Sequence, residues 1–283
     1  MTQTIAVTGA TGQLGRLTID ALKSRAPGAT LVALVRDTAK AADLGIEARP
    51  FDYHKPETLA PALAGIDVLV LISSSDFNDR AGQHGNVIKA AEAAGVGRLV
   101  YTSILKGEAS PMLLAQDHIA TEAVLAASPL PTTVLRNGWY IENYTGTLAG
   151  ALQAGAVAGV NASGKVSPAT RADYAEAIAV VASDDAHAGK VYELAGDEAF
   201  TMPEFAAEVS AQVGKDVPFA AMSKEAYTQM LEQVGLPTPV AQIFADSDAC
   251  AGEGALFDNS KTLSALIGRP TTPLSDAVAA ALR

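Results

Sequence analysis

The stretch Val7-Thr8-Gly9-Ala10-Thr11-Gly12-Gln13-Leu14-Gly15, "VTGATGQLG", decides the fold. It lies between an apolar, strand-like "TIAVTG" (4–9) and an amphipathic run from Leu14 to Ser24 that carries Leu17, Ile19 and Leu22. A helix N-terminus offers unpaired backbone N–H groups and a partial positive charge, so a strand, glycine turn and helix in succession make an anion site. The glycines stand at 9, 12 and 15, which is G-x-x-G-x-x-G, one residue longer than the usual dinucleotide fingerprint. Gly9 is expected to make the turn, Gly12 to admit a pyrophosphate and Gly15 to let the helix approach its strand. Each role calls for a missing Cβ.

The pattern continues outward from this loop. "TLVALVRD" (30–37) reads as a second strand and "ARPFDY" (48–53) as a short third one. A helix over "PETLAPALAG" (56–65) leads to a buried strand, "DVLVLISSS" (67–75). "GNVIKAAEAAG" (85–95) is a helix closed by Gly95, "RLVYTS" (98–103) a fifth strand, and "PMLLAQDHIATEAVLAAS" (111–128) a helix before the sixth strand, "TTVLRNG" (132–138). Strands apolar on both faces, alternating with helices, imply an α/β fold with a doubly wound parallel sheet, whose ligand sits beyond the strands' carboxyl ends. After residue 150 comes a Gly-rich, irregular stretch (150–168), then a helix over "TRADYAEAIAVVAS" (170–183) and strands in "KVYELAG" and "VPFAAM". Thr201-Met202-Pro203-Glu204 is a capping box with proline in the first turn. The expected division is a nucleotide-binding domain over 1–150 and a smaller C-terminal α/β lobe over 151–283, with later segments free to return to the first domain.

Bulk properties narrow the function. The chain has 283 residues, 49% hydrophobic and 18% charged, with a net charge of −11. That balance argues against nucleic acid and against an anionic membrane surface, both of which need clustered Lys and Arg. The single cysteine allows no internal disulfide, and the four scattered histidines give no metal-ligand spacing, so no metal is expected. Neither a signal segment nor an apolar run long enough to span a bilayer is seen, and the expected location is the cytoplasm.

Two features bear on chemistry. Arg36 closes the second strand, where the adenosine ribose of a dinucleotide would lie. A guanidinium there suits a 2′-phosphate, and hence NADPH, while the adjacent Asp37 leaves room for NADH. The second feature is an absence. None of the seven tyrosines has lysine four residues on; those positions hold Glu57, Leu105, Tyr144, Leu148, Ile178, Gly196 and Leu231. The Tyr-x-x-x-Lys proton donor of short-chain dehydrogenases is therefore missing. In its region stand His118 and Glu122, one helical turn apart, readable as an acid/base device or as a structural contact. Proton donation to a nascent alkoxide is worth ~10²–10⁴ in rate. Quinones and other conjugated acceptors, whose reduced forms spread the charge, depend on it least.

The segments "TGATGQLG", "LISSS" (71–75), "YTS" (101–103), "DHIATE" (117–122), "RNGWYIENY" (136–144), "TRADY" (170–174), "KVYELAGD" (190–197) and "DNSKTLSALIG" (258–268) resemble the bacterial type-2 NAD(P)H:quinone oxidoreductases. These are NmrA-like, atypical short-chain dehydrogenases with a Rossmann sheet, and triphenylmethane reductases are close relatives. The resemblance implies NADPH contacts from Gly9, Ala10, Thr11, Gly12, Gln13 and Leu14, from Arg36, from Ser73, Ser74 and Ser75, from Asn137, Gly138, Trp139, Tyr140, Ile141 and Glu142, and from Arg171. Asn143 would lie near the nicotinamide and position the quinone oxygen, the plainer alternative being a turn cap. Asp173 is expected to stabilise the helix it opens.

The leading expectation is a reductase passing hydride from NADPH, or NADH, to a small quinone to give the hydroquinone, with a homodimer as the assembly to consider. The alternatives are an NmrA-like redox sensor that binds the nucleotide without turnover, and a reductase of other conjugated electrophiles such as triphenylmethane dyes.

Overall fold

A computed structural model of the chain describes residues 3–76 and 78–283. In chain order the first half holds β1 (Thr4–Thr8), α1 (Gln13–Arg25), β2 (Thr30–Val35), β3 (Glu47–Pro50), α2 (Leu59–Ala62), β4 (Val68–Leu71), α3 (Arg80–Ala94), β5 (Arg98–Ile104), α4 (Ala115–Ala127) and β6 (Thr132–Asn137). There follow α5 (Glu142–Thr145), α6 (Leu148–Ala154), β7 (Val157–Gly159), α7 (Arg171–Ala182), β8 (Val191–Leu194), α8 (Met202–Val213) and β9 (Phe219–Ala221). The last helices are α9 (Lys224–Gln233), α10 (Thr238–Gly252), α11 (Thr262–Ile267) and α12 (Leu274–Ala281). Short 3-10 turns cover Thr38–Leu44, Pro56–Thr58, Gly107–Ala109 and Asp185–His187.

The main sheet has seven strands in the order β3-β2-β1-β4-β5-β6-β8, with β1 paired in parallel to both β2 and β4. The strand order therefore reverses direction at β1, which places the glycine loop at the switch point of a doubly wound sheet. Alternate side chains of the strands go to opposite faces. On one face Ala6, Val32, Leu34, Leu69, Leu71 and Leu99 join Val87, Ile88 and Ala91 of α3 in a single apolar cluster. On the other, α1 packs along α7, which lies against β4, β5 and β6. Burying each such Leu or Ile contributes about 1.5–3 kcal/mol.

The chain forms two compact units. The first runs up to Ile104 and adds Asp117–Asn137 and Arg171–Tyr192; the second comprises Leu105–Gln116, Gly138–Thr170 and Glu193–Arg283. A single cut near 150 does not describe them, because residues 138–150 group with the second unit and the α7 segment returns to the first. The reason is visible in α7: it buries Asp173, Tyr174, Ala175 and every residue from Ala177 to Ala182. Its last carbonyls, Val181 and Ala182, accept from the buried Arg98 guanidinium at 2.7 and 2.6 Å, a cation at the negative end of the helix.

Other expectations shift locally. The third strand is Glu47–Pro50, ending before Phe51, and prolines 56 and 61 reduce the expected helix there to a 3-10 turn plus the short α2. The stretch expected to be irregular contains β7, which pairs with β9 in a two-stranded parallel sheet of the second unit. The capping box forms as expected at α8, Thr201 accepting from Glu204 N and Glu204 from Thr201 N. No described helix is long and apolar enough to cross a membrane.

Candidate active site

In the first unit the site grows from the end of β1. Gly9 turns the chain with φ +59, a region costly for any residue with a Cβ. Its carbonyl accepts from Gly12 N at 2.9 Å, closing the loop. A Cβ on Gly15 would overlap that same carbonyl oxygen and lie 2.7 Å from the Ala10 Cα, so Gly15 permits the close packing read from the sequence. At Gly12 a Cβ would stand 3.2 Å from the Gly9 oxygen, tight but not prohibitive within the protein alone. Gly12 is the N-cap of α1, no side chain caps it, and the first turn carries no acidic residue. Arg16 braces the loop from behind, donating from Nε to the Thr11 carbonyl at 3.2 Å and from Nη1 to Asp43 at 2.6 Å. The helix thus opens with backbone donors and no competing anion, which fits a pyrophosphate.

Arg36 follows β2, exposed, and engages no carboxylate among the described residues. Asp37 instead turns its carboxylate to Ala39 N at 3.0 Å, capping the next 3-10 turn. Of the two residues left open by the sequence, the acid is committed locally and the base is available.

Ser73, Ser74 and Ser75 form the loop after β4, held by three neighbouring elements. Ile72 N donates to Thr8 Oγ1 at 3.0 Å, Ser73 N to Thr102 Oγ1 at 2.9 Å, and Ser74 N to His84 Nε2 at 3.0 Å. Because Nε2 accepts, His84 carries its proton on Nδ1 and donates it to Thr121 Oγ1, 2.9 Å away. Burial and the nearby Arg80 push the His84 pKa down to about 3, so the ring is neutral across ordinary pH.

His118 and Glu122 do not meet. His118 Nδ1 pairs with the Tyr101 hydroxyl at 2.9 Å, and burial, Arg80 and His84 lower its pKa to about 3. Glu122 accepts from Ser103 Oγ at 2.5 Å and from Arg136, whose Nη2 is 2.6 Å from Oε2. One turn of helix places both side chains on one face, but each finds a different partner on β5 and β6. The acid/base pairing they suggested in sequence is not made.

Asn137 ends β6, 3% exposed, and among the described residues neither its amide nitrogen nor its oxygen has a hydrogen-bond partner. An unsatisfied buried amide costs about 1–3 kcal/mol, the kind of cost that collects at functional sites. Arg171, half-buried, opens α7, and Asp173 in the same turn is wholly buried.

Gly138 begins the second unit, donating to Leu194 O at 2.7 Å. Trp139 and Ile141 are zipped to Ala169 by backbone bonds of 3.1 and 2.9 Å, and Tyr140 bridges the same residue. Asn143 N donates to Tyr140 O at 3.0 Å, so the backbone of 140–143 makes a tight turn into α5, which Glu142 begins. Beside this turn lies a small pocket, partly open to solvent. Trp139, Tyr144, Tyr227, Phe244 and Leu256 wall it, with Asn143 and Asp248 as its polar groups. Trp139 and Phe244 meet edge to face, centroids 6.3 Å apart. Tyr227, Phe244 and Asp248 come from α9 and α10, which the sequence reading did not resolve. The signals were there: Ser223 caps Ala226 N, and Pro237 and Pro239 mark the start of α10. Among the described residues no group of three or more His, Cys, Asp or Glu is placed to hold a metal ion.

Comparison with known proteins gives the family and the fold. The model of the NmrA-like family matches residues 1–277. The chain is 50% identical over 277 residues to quinone oxidoreductase 2 of Escherichia coli, covering 97% of each. It superposes with TM-score 0.95 and 49% identity on the NADPH complex of an Escherichia coli NADPH-dependent quinone oxidoreductase, covering 99% of this chain and all of that one. The NADP(H) complex of Citrobacter sp. triphenylmethane reductase gives TM-score 0.92 at 37% identity, covering 98% and 99%.

Proposed function

The chain belongs to the NmrA-like family, and on that premise we propose that it is an NADPH-dependent reductase of quinones, yielding the hydroquinone. The observation that carries this reading is the match to quinone oxidoreductase 2 at 50% identity along 97% of both chains. When bound, NADPH supplies a hydride from its nicotinamide ring. What the chain contributes is grip and orientation. In the first unit the loop from Gly9 to Leu14 takes the pyrophosphate, Arg36 the 2′-phosphate, and Ser73 to Ser75, Asn137 and Arg171 are further cofactor contacts. Gly138 to Glu142, continuing the chain from Asn137, keep the same assignment. The exposed Arg36 guanidinium beside an Asp37 whose Oδ1 already accepts from Ala39 N supports NADPH over NADH.

In the second unit the aromatic pocket suits a flat ring, and Asn143 is its candidate for orienting a quinone oxygen. Neither a tyrosine–lysine pair nor a His118–Glu122 pair supplies a proton donor among the described residues, since His118 pairs with Tyr101 and Glu122 with Arg136. The acidic balance of the chain speaks against nucleic acid as a partner; the location in keeping with this reading is the cytoplasm, and a homodimer is the assembly to look for by light scattering.

The test is oxidation of NADPH by the purified protein, followed optically, with and without small benzoquinones and naphthoquinones. Quinone-dependent turnover that prefers NADPH supports the reading. NADPH binding with no turnover for any quinone would replace it with the sensor alternative.

A further inference from the structure

Asp248 brings a carboxylate into a pocket whose other lining residues are Asn143 and five aromatic or aliphatic side chains. Its placement is built in detail. Oδ2 accepts from two successive backbone N–H groups, Val160 at 2.5 Å and Asn161 at 3.2 Å, just beyond β7. Gly159 makes the space, because a Cβ there would stand 2.9 Å from Oδ2 and 3.1 Å from the Phe219 ring. The two N–H bonds fix one oxygen and leave Oδ1 as the carboxyl's remaining hydrogen-bonding group, on a residue that lines the pocket together with Asn143.

We propose that Asp248 is the proton donor to the acceptor oxygen in this pocket, a second polar contact besides Asn143 and one that selects acceptors able to take a proton as they are reduced. The inference rests on the quinone-reductase reading. In the step, the O–H bond of the Asp248 carboxyl breaks and an O–H bond forms on the quinone oxygen, while the hydride from NADPH supplies the two electrons and the other hydrogen. Quinone, hydride and proton together make the hydroquinone, NADPH leaves as NADP⁺, and the carboxylate regains its proton from solvent.

The surroundings favour the protonated form. Burial pushes the Asp248 pKa up, against the lowering effect of the two backbone donors. The titratable groups facing it are Tyr144 from α5 and Tyr227 from α9, whose own pKa values are raised by burial and by the Asp248 charge, that of Tyr227 to about 12. On α10 itself, Asp246 is held by Lys224 at 2.6 Å, and the Cys250 thiol lies beside Asp246. Among the described residues no cation is therefore placed to keep Asp248 ionised. A carboxyl acid works below its pKa, so its contribution falls as pH rises through a raised value.

The chain's single tryptophan, Trp139, lines the same pocket, so quenching of its fluorescence by benzoquinone reports occupancy without cofactor. For the wild type, kcat/KM for benzoquinone should fall toward alkaline pH with a midpoint above the usual carboxylate range, while quenching stays constant. Asp248→Asn, whose amide oxygen can still accept from Val160 and Asn161, should bind benzoquinone within about twofold, lose about tenfold or more in kcat and show a flat profile, the loss lying at or below the ~10²–10⁴ of general-acid catalysis. A variant with the wild-type rate and profile overturns the proposal. If the variant does not fold, a wild-type profile without that descending limb overturns it equally. Absence of quinone turnover in the wild type, with quenching intact, instead removes the reading on which the proposal rests.

Discussion

Arg136 grips Glu122 with two nitrogens, Nη2 at 2.6 Å from Oε2 and Nε at 3.1 Å from Oε1, and ties α4 to β6. Both side chains are mostly buried, 22% and 14% exposed. Removing one partner of such a pair strands the other charge in low dielectric. Glu122→Ala should therefore lower the unfolding free energy by about 3 kcal/mol, the low end for a broken buried pair, as read from urea denaturation. Activity per folded molecule should stay within about twofold, because this cost falls on the fold and not on the reacting groups. A large drop in kcat with unchanged stability would restore a catalytic role for Glu122.

The two buried histidines make stability depend on pH. His84 and His118 have their pKa values lowered from 6.5 to about 3, mainly by burial. Between those values the unfolded chain binds protons that the folded chain refuses. Their contribution is complete above pH 6.5 and is lost as pH falls toward 3, with a slope approaching about 1.4 kcal/mol per pH unit for each. The urea midpoint should drop between about pH 7 and pH 5, ahead of most carboxylate titration. His118→Phe, which removes one of the two, should make that drop shallower.

These elements show where the sequence was legible. The strands β1, β2, β4, β5 and β6 were readable because each is an apolar run bounded by turn residues, and the glycine roles at 9 and 15 followed from geometry that only a missing Cβ permits. Spacing along a helix placed His118 and Glu122 on one face but could not say which strand residues, Tyr101 or Arg136, would reach each first. The second unit was harder. β7 is three residues long, too short for periodicity, and its partner β9 lies far along the chain. The pocket draws on α5, α9 and α10 together, so Tyr227, Phe244 and Asp248 become neighbours only through tertiary packing.

Cofactor choice should follow Arg36. Its exposed guanidinium, free of the neighbouring Asp37 carboxylate, is assigned to the 2′-phosphate. A charge-assisted hydrogen bond contributes about 1.5–3 kcal/mol. Arg36→Ala should lose roughly 10- to 100-fold in kcat/KM with NADPH, through KM, while the NADH value moves by no more than about threefold. Steady-state rates with both cofactors decide it. Equal losses for NADPH and NADH would show that Arg36 supports the loop and does not read the phosphate.

Asn143 is the remaining polar group of the pocket, and its two roles predict different losses. As a turn residue it matters through its backbone, whose N–H donates to Tyr140 O at 3.0 Å, and alanine preserves that bond. As an orienting residue it matters through its amide, which alanine removes. A neutral hydrogen bond is worth about 0.5–1.5 kcal/mol, so Asn143→Ala should cut kcat for quinones by about tenfold. NADPH affinity and the thermal midpoint should stay close to wild type, because neither the glycine loop nor a core contact is disturbed. Asn143→Gln, with the same amide one methylene further out, should also lose rate, since a shift near 1 Å already spoils alignment of reacting groups. Stopped-flow turnover beside equilibrium NADPH binding separates the cases. Full quinone turnover by Asn143→Ala would reduce the residue to a turn.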